Sequence, residues 1–520
     1  MHSKAHFFKI VGVFLFFVIF AILSIQIFAP TTYENLKNRF LSQFQPKISQ
    51  EEELVIAFPD VIASFDPASY KASDRSRLVN MYETLVRMDS SLTLEPSLAL
   101  SWGFSTDTVL EFHLRPGVSF HDGTLLTAED VRSSIEYAKN APNSEVSYLV
   151  STISSIETPD SSTVRIITDF PDPLLLQKLT AIFIFPKKNI ATISKTPVGT
   201  GAYIWKRYDK EKGDLELQRF SDYWGSSPKF RYVVLRGIPD REERFSAIST
   251  GGADILTAVP GYLASSLSAY DLDLKVIPSL EVNFLAFSFR PESIFSKKEA
   301  REAVLHAIDR TELLKFAGDS IEPANQFVSR GVFGYRADIS NREYDLEKAK
   351  TLMRSIESFV RIQISVDLPM GFEALGRYIE DQLYLIGFDP DVQYLSVSDL
   401  TEKVMSGKSD FYLFGFRSEL GDANDFFSAV AHSRGSDISR FGVFNGSFYQ
   451  NSHVDELITE SSRTLDTFKR SEKLQEIMKI LVEDDMLGIP LFESKVMYAV
   501  RRGVHFEPRV DGYVLARDIF

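Results

Sequence analysis

Hydrophobic residues follow three different rhythms along this chain. Between Ile10 and Ala29 (IVGVFLFFVIFAILSIQIFA) they run almost unbroken, with Ser24 and Gln26 the only polar side chains and no charge. At 1.5 Å per residue the run spans about 30 Å, the hydrocarbon thickness of a bilayer, so it predicts one transmembrane helix. A secretory leader starts the same way, but its apolar core is usually about 7–15 residues. Pro30 after Ala29, and the bulky Ile27 before it, also make a poor cleavage site. The length favours an uncleaved anchor with residues 1–9 in the cytoplasm; a long cleaved leader is the alternative. Either sends the rest of the chain out of the cytoplasm. Residues 30–53 are polar and aperiodic, as a stalk would be.

Beyond the stalk the rhythm alternates between periods of two and of about 3.6. Leu54 to Phe58 (LVIAF) is a short apolar run stopped by Pro59, and Val109 to Leu114 (VLEFHL) alternates as a half-buried strand does. Asp122-Gly123 is a turn signal, and Thr127-Ala128-Glu129-Asp130 opens a helix with Thr127 as its cap. His121, beside that turn, reads as a structural hydrogen-bonder. Further on, Arg361 to Leu368 predicts a strand, Phe372 to Ile386 a helix ended by Gly387, and Asp391 to Leu395 a strand. Val397 to Ser406 predicts a helix ended by Gly407, and Phe411 to Phe416 a buried strand. Glycine just past a helix supplies the left-handed cap. Strands alternating with helices imply a parallel sheet with right-handed crossovers. Ser296-Lys297-Lys298-Glu299 reads as a capping box for another helix.

A chain of 520 residues needs about two to four domains. Its 44% hydrophobic and 25% charged residues are ordinary for a globular protein. The net charge of −14 argues against nucleic-acid binding, which requires a basic footprint. The absence of cysteine excludes disulfides, thiolate metal sites, cysteine catalysis and a lipidated N-terminal cysteine. Eight histidines without an H-E-x-x-H motif give no basis for a zinc or di-iron site, so no metal and no cofactor is expected.

Catalytic motifs fail individually. Gly407-Lys408-Ser409 resembles the end of a phosphate-binding loop, but Glu402 stands where its first glycine must be. Gly199-Thr200-Gly201 lacks the third glycine of a dinucleotide fingerprint, since residue 204 is Ile. There is no G-x-S-x-G elbow. The expectation is a protein that is not an enzyme.

A set of motifs does recur in order. Phe65-Asp66-Pro67 is followed by Asn80-Met81-Tyr82-Glu83-Thr84-Leu85-Val86, then by Leu94-Glu95-Pro96-Ser97-Leu98-Ala99 and Ser101-Trp102. Leu114-Arg115-Pro116-Gly117-Val118 leads through Phe120-His121-Asp122-Gly123 to Thr127-Ala128-Glu129-Asp130-Val131. Val198-Gly199-Thr200-Gly201, Asp222-Tyr223-Trp224-Gly225, Gly252-Ala253-Asp254-Ile255, Ala307-Ile308-Asp309-Arg310 and Ile489-Pro490-Leu491-Phe492 come later. Together these resemble the bacterial extracellular solute-binding proteins of the oligopeptide and dipeptide type (family 5), the capture subunits of ABC importers. Ala202 departs from the family's usual proline, Phe416 from its common tryptophan, and the lipidated cysteine of many relatives is missing.

The resemblance implies an α/β, two-lobed, periplasmic-binding-protein-like clamp of type II, preceded here by the N-terminal transmembrane helix. Lobe I would combine residues 54–80, 191–282 and 487–520, with residues 81–190 as an inserted subdomain. Lobe II would be residues 283–486. The chain would cross between lobes at a hinge near Asn283 and Phe284 and again near Met486. The implied partners are a short, extended peptide and the permease and ATPase subunits of an importer, the protein itself being a monomer on the outer face of the cytoplasmic membrane. In the family an aspartate just after the last parallel strand of the second lobe holds the peptide's amino group. Here that points to Asp422 or Asp425. Asp425 is the better placed to cap a helix starting near Phe426, so Asp422 is preferred as the anchor. Phe416 would form an aromatic wall beside the ligand, with Arg417 next to it. A sensor, a binder of a sugar or metal chelate, or an enzyme on the same scaffold are the alternatives.

Overall fold

The computed structural model describes residues 52–520, except 70, 319–320, 341, 357–360 and 436–440. The apolar run Ile10 to Ala29 lies outside the described residues. Among those described, no helix is long and apolar enough to cross a membrane.

Most strands join one eleven-stranded sheet. From one edge the order is Phe388–Leu395, Ile362–Pro369, Phe411–Arg417, Leu272–Phe287, Gly488–Arg501, Ile255–Leu256, Glu53–Phe58, Tyr232–Gly237, Asp214–Arg219 and Tyr203–Asp209, and the eleventh strand, Ile321–Pro323, pairs with Gly488–Arg501 off this path. The strand Ile362–Pro369 is parallel to both of its neighbours, with the helices Glu373–Leu385 and Val397–Met405 as crossovers. Gly387 and Gly407, at φ of 104° and 72°, end those helices in the left-handed region. The edge strand starts at Phe388, earlier than its alternation suggests, because an edge position tolerates the missing N–H of Pro390. The helix Ala128–Asn140 begins at the Thr127 cap, where the Asp130 carboxylate accepts from the Thr127 N–H at 3.0 Å. The Ser296 box does not form. A tight turn at Ile294–Ser296 comes first, so the Ser296 hydroxyl donates back to the Ser293 carbonyl and Lys297 stands at the cap position.

The buried hydrophobic side chains of the described residues form four clusters, two in each of two lobes. One packs Leu54, Ile56, Tyr203 and Leu235 with the inserted segment, whose own four-stranded sheet falls within residues 81–190. The other side of the molecule packs Phe284, Phe327 and Phe426 on one face of the sheet and Phe287, Phe295 and Phe411 on the other. Among the described strands, only Leu272–Phe287 and Gly488–Arg501 run through both lobes. At about 3.3 Å per residue they are each roughly 45–50 Å long.

Their ladder breaks between Pro278 and Val282, where Leu280 takes a φ of 60°. Before the break Leu272–Phe287 faces Lys495 and beyond; after it, Glu493 and the second lobe. A polar cluster fills the break. The Asn283 amide donates to Ser494 Oγ at 2.9 Å and to Glu281 at 3.2 Å, and Ser279 Oγ donates to the Ser494 carbonyl at 2.9 Å. Asn283 thus belongs to the polar cluster at the break. Phe284 does not: it is buried against Phe327, Phe414 and Phe426. Met486 is fully buried ahead of the strand Gly488–Arg501, and on that strand the register shift lies between Glu493 and Lys495.

Candidate functional site

The site is built where the strand Phe411–Arg417 ends. Alternation turns Phe414 and Phe416 toward the aromatic core, Phe416 meeting Phe426 edge-on at 5.3 Å. Phe416 packs, partly buried, against the aromatic core, and it lines neither of the two cavities described below. The chain then turns through Gly421, at φ 66°, into a short helix, Ala423–Phe426.

Asp422 caps that helix, accepting from the Asn424 N–H at 2.9 Å. It is 2% exposed, and both carboxylate oxygens are taken by Arg470, at 2.5 and 2.7 Å. This corrects the expected cap: the helix starts three residues before Phe426, and Asp422, not Asp425, stands at its cap. The carboxylate is thus held inside the protein by a bidentate ion pair and the Asn424 N–H.

Two cavities flank this segment, and Leu420 lines both. The first, of about 100 Å³, receives Arg417 and Glu419 from one lobe and Tyr82, Glu83, Arg509 and Arg517 from the other. The second, of about 130 Å³, receives Asp425 and Arg463 from one lobe and Asp172 and Lys178 from the inserted segment.

The carboxylates around these cavities divide into two kinds. Glu83 accepts from Thr200, Tyr223, Trp224 and Arg517 at 2.7–3.1 Å and ties the C-terminal segment to the first lobe. Asp172 pairs with Lys178 at 2.7 Å and Asp511 with Arg509. Glu419 and Asp425 have no ion-pair partner among the described residues. Burial pushes the Asp425 carboxyl up to about 7, helped by the negative charges of Glu419 and Asp422; the Leu420 N–H and Lys178 pull the other way without cancelling it. A carboxylate held in this state lacks a cation.

Arg417 has a different task from the one expected of it beside a ligand. Its Nη2 donates to the Val510 and Asp511 carbonyls at 3.4 and 2.5 Å, so one lobe grips the C-terminal segment of the other. Gly512, at φ 74°, makes room: a Cβ there would lie 3.0 Å from the same Nη2. His121 stays away from the cavities. Its ring contacts the Gly201 carbonyl at 2.9 Å and the Gly199 N–H at 3.3 Å, and burial lowers it to about 4, so it is neutral and structural. Sequence reasoning missed Glu419, although it lies in the very segment singled out. It also missed Arg463 and Arg470, whose roles depend on contacts across the fold.

The fold and the site can be set beside known proteins. Residues 93–437 match the model of the bacterial extracellular solute-binding proteins, family 5. The dipeptide-binding protein of Escherichia coli is 25% identical over 84% of this chain and 87% of its own. The heme-binding protein A of Haemophilus influenzae is 24% identical over 92% of each. Among solved structures, the ABC transporter substrate-binding protein CtaP of Listeria monocytogenes superposes with a TM-score of 0.80 at 20% identity, covering 90% of this chain and 99% of that one.

Proposed function

Since the chain belongs to the bacterial extracellular solute-binding proteins of family 5, which serve ABC importers from outside the cytoplasm, we propose that its ligand is a short peptide held by its free amino group. The observation that carries this reading is the pair Glu419 and Asp425. They are the two carboxylates at the cavities without a cation, and they stand on either side of Leu420. Closing the lobes strips water from a ligand's ammonium, and only a nearby carboxylate compensates. The relatives carry names for dipeptide, heme, glutathione and nickel binding, so the family alone leaves the ligand open. Cavities of about 100 and 130 Å³ suit a short ligand.

In this reading the crossing at Ser279–Asn283 and Ser494 is the hinge. Arg417 holds the closed form by gripping the C-terminal segment, and the closed form is handed to a permease and its ATPase. The segment Ile10 to Ala29 keeps the protein at the outer face of the membrane. Mass spectrometry of small molecules released when the purified protein is denatured tests the ligand class. Masses of short peptides are expected; a heme, a metal chelate or a sugar in their place would refute the peptide reading.

A further inference from the structure

The strand Leu272–Phe287 is covered unequally on its two sides. Gly488–Arg501 pairs with it on both sides of the ladder break, whereas Phe411–Arg417 pairs with it only from Glu281 to Phe287. From Leu272 to Pro278 no described strand lies on the outer side, which is therefore a sheet edge. An edge presents unpaired N–H and C=O groups and accepts a further strand. Natural edges are guarded by charge and by proline, and Pro278 guards the end nearer the break because it has no N–H to give. The middle of the edge is apolar. Leu274 and Val276 are 40% and 44% exposed, and alternation puts them on one face with Asp273 and Lys275 on the other.

The order of these side chains is complementary to itself. Antiparallel pairing about a two-fold axis at Leu274 sets Leu274 opposite Leu274 of the second copy, Leu272 opposite Val276, and Asp273 opposite Lys275. We propose that the edge Leu272–Val276 pairs with the same edge of a second copy of this chain, forming a two-fold dimer. Apolar pairs then lie on one face and opposite charges on the other, and no like charges meet. The contacts that Asp273 and Lys275 make within one chain are exposed and long, so they can be exchanged: Arg502 Nε lies 3.9 Å from Asp273, and Lys275 Nζ 3.5 Å from Glu507. A two-fold pairing uses up both edges and stops at two copies. The paired residues line neither cavity, so the dimer is independent of the ligand reading, and it departs from the monomer that the family resemblance implies.

The chain has no cysteine, so a single introduced one reports position alone. Directly opposed residues of an antiparallel ladder have Cα atoms about 4.5–5.5 Å apart, within reach of a disulfide. The test uses the full chain in mild detergent, oxidised gently and read on a non-reducing gel. Three variants are compared: Leu274→Cys, Lys275→Cys, and Phe468→Cys, whose site is 71% exposed in the helix Thr467–Lys479 and reports chance collision. Leu274→Cys is expected to give at least tenfold more linked dimer than either of the others. Adding Asp273→Lys to Leu274→Cys sets lysine against lysine and should bring the yield down to the collision level. Adding Lys275→Asp as well restores opposite charges and should restore the yield. A Leu274→Cys yield at the collision level overturns the dimer. So does a Lys275→Cys yield equal to it, a charge reversal without effect, or a double reversal that restores nothing.

Discussion

Replacing Asp425 by Asn should weaken peptide binding while making the empty protein more stable. The affinity side follows from charge. Removing one partner of a desolvated ion pair typically costs about 2–5 kcal/mol, or roughly thirtyfold to several-thousandfold in Kd. The stability side follows from the raised carboxyl. A group whose folded value is raised, here from 3.8 to about 7, binds more protons in the folded state between those values. Stability therefore falls as pH rises through that window and stays low above it. An amide removes the penalty, so Asp425→Asn should gain on the order of 1–2 kcal/mol at pH 8, allowing for solvent screening. The parent's peptide affinity should also fall as pH drops below about 7, approaching tenfold per unit, while the variant's stays flat. Calorimetry and thermal melts across pH 5–9 measure both effects. A variant that loses stability together with affinity would make Asp425 a structural residue.

The opposite behaviour is expected at Asp422. Arg470→Met strands a buried carboxylate that is 2% exposed and bound at 2.5 and 2.7 Å. Breaking a buried pair on one side costs about 3–5 kcal/mol, a large share of a domain's stability. Urea denaturation should show that loss, and adding Asp422→Leu to Arg470→Met should recover part of it, since no unpaired charge then remains. Ligand affinity of the folded fraction should be unchanged. A single variant as stable as the parent would mean that Asp422 is not committed to Arg470.

Local chemistry was legible in the sequence, and long-range pairing was not. The alternation of Val109–Leu114, the Thr127 cap and the glycines at 387 and 407 act over a few residues, and the structure has each in place. The strands and helices between residues 362 and 417 were readable for the same reason. The site segment was located because it follows a recognisable buried strand. Which of its acids faces the cavities was not readable, because that is decided by Arg470, far along the chain in the helix Thr467–Lys479. Arginine at that position carries no mark of the partner it takes. The packing of Phe416 was not readable either, since it depends on which face of the sheet the core covers. The bond between Asn283 and Ser494 was not readable, because it follows from register between strands more than two hundred residues apart.

The central claim is that this cleft holds a solute through its free ammonium group. Isothermal calorimetry at pH 8 on the parent protein, with a peptide recovered from it and the N-acetylated form of that peptide, tests this most directly. The account predicts that acetylation weakens binding at least thirtyfold, consistent with the loss of a desolvated ion pair. Equal affinity for the two forms would contradict it.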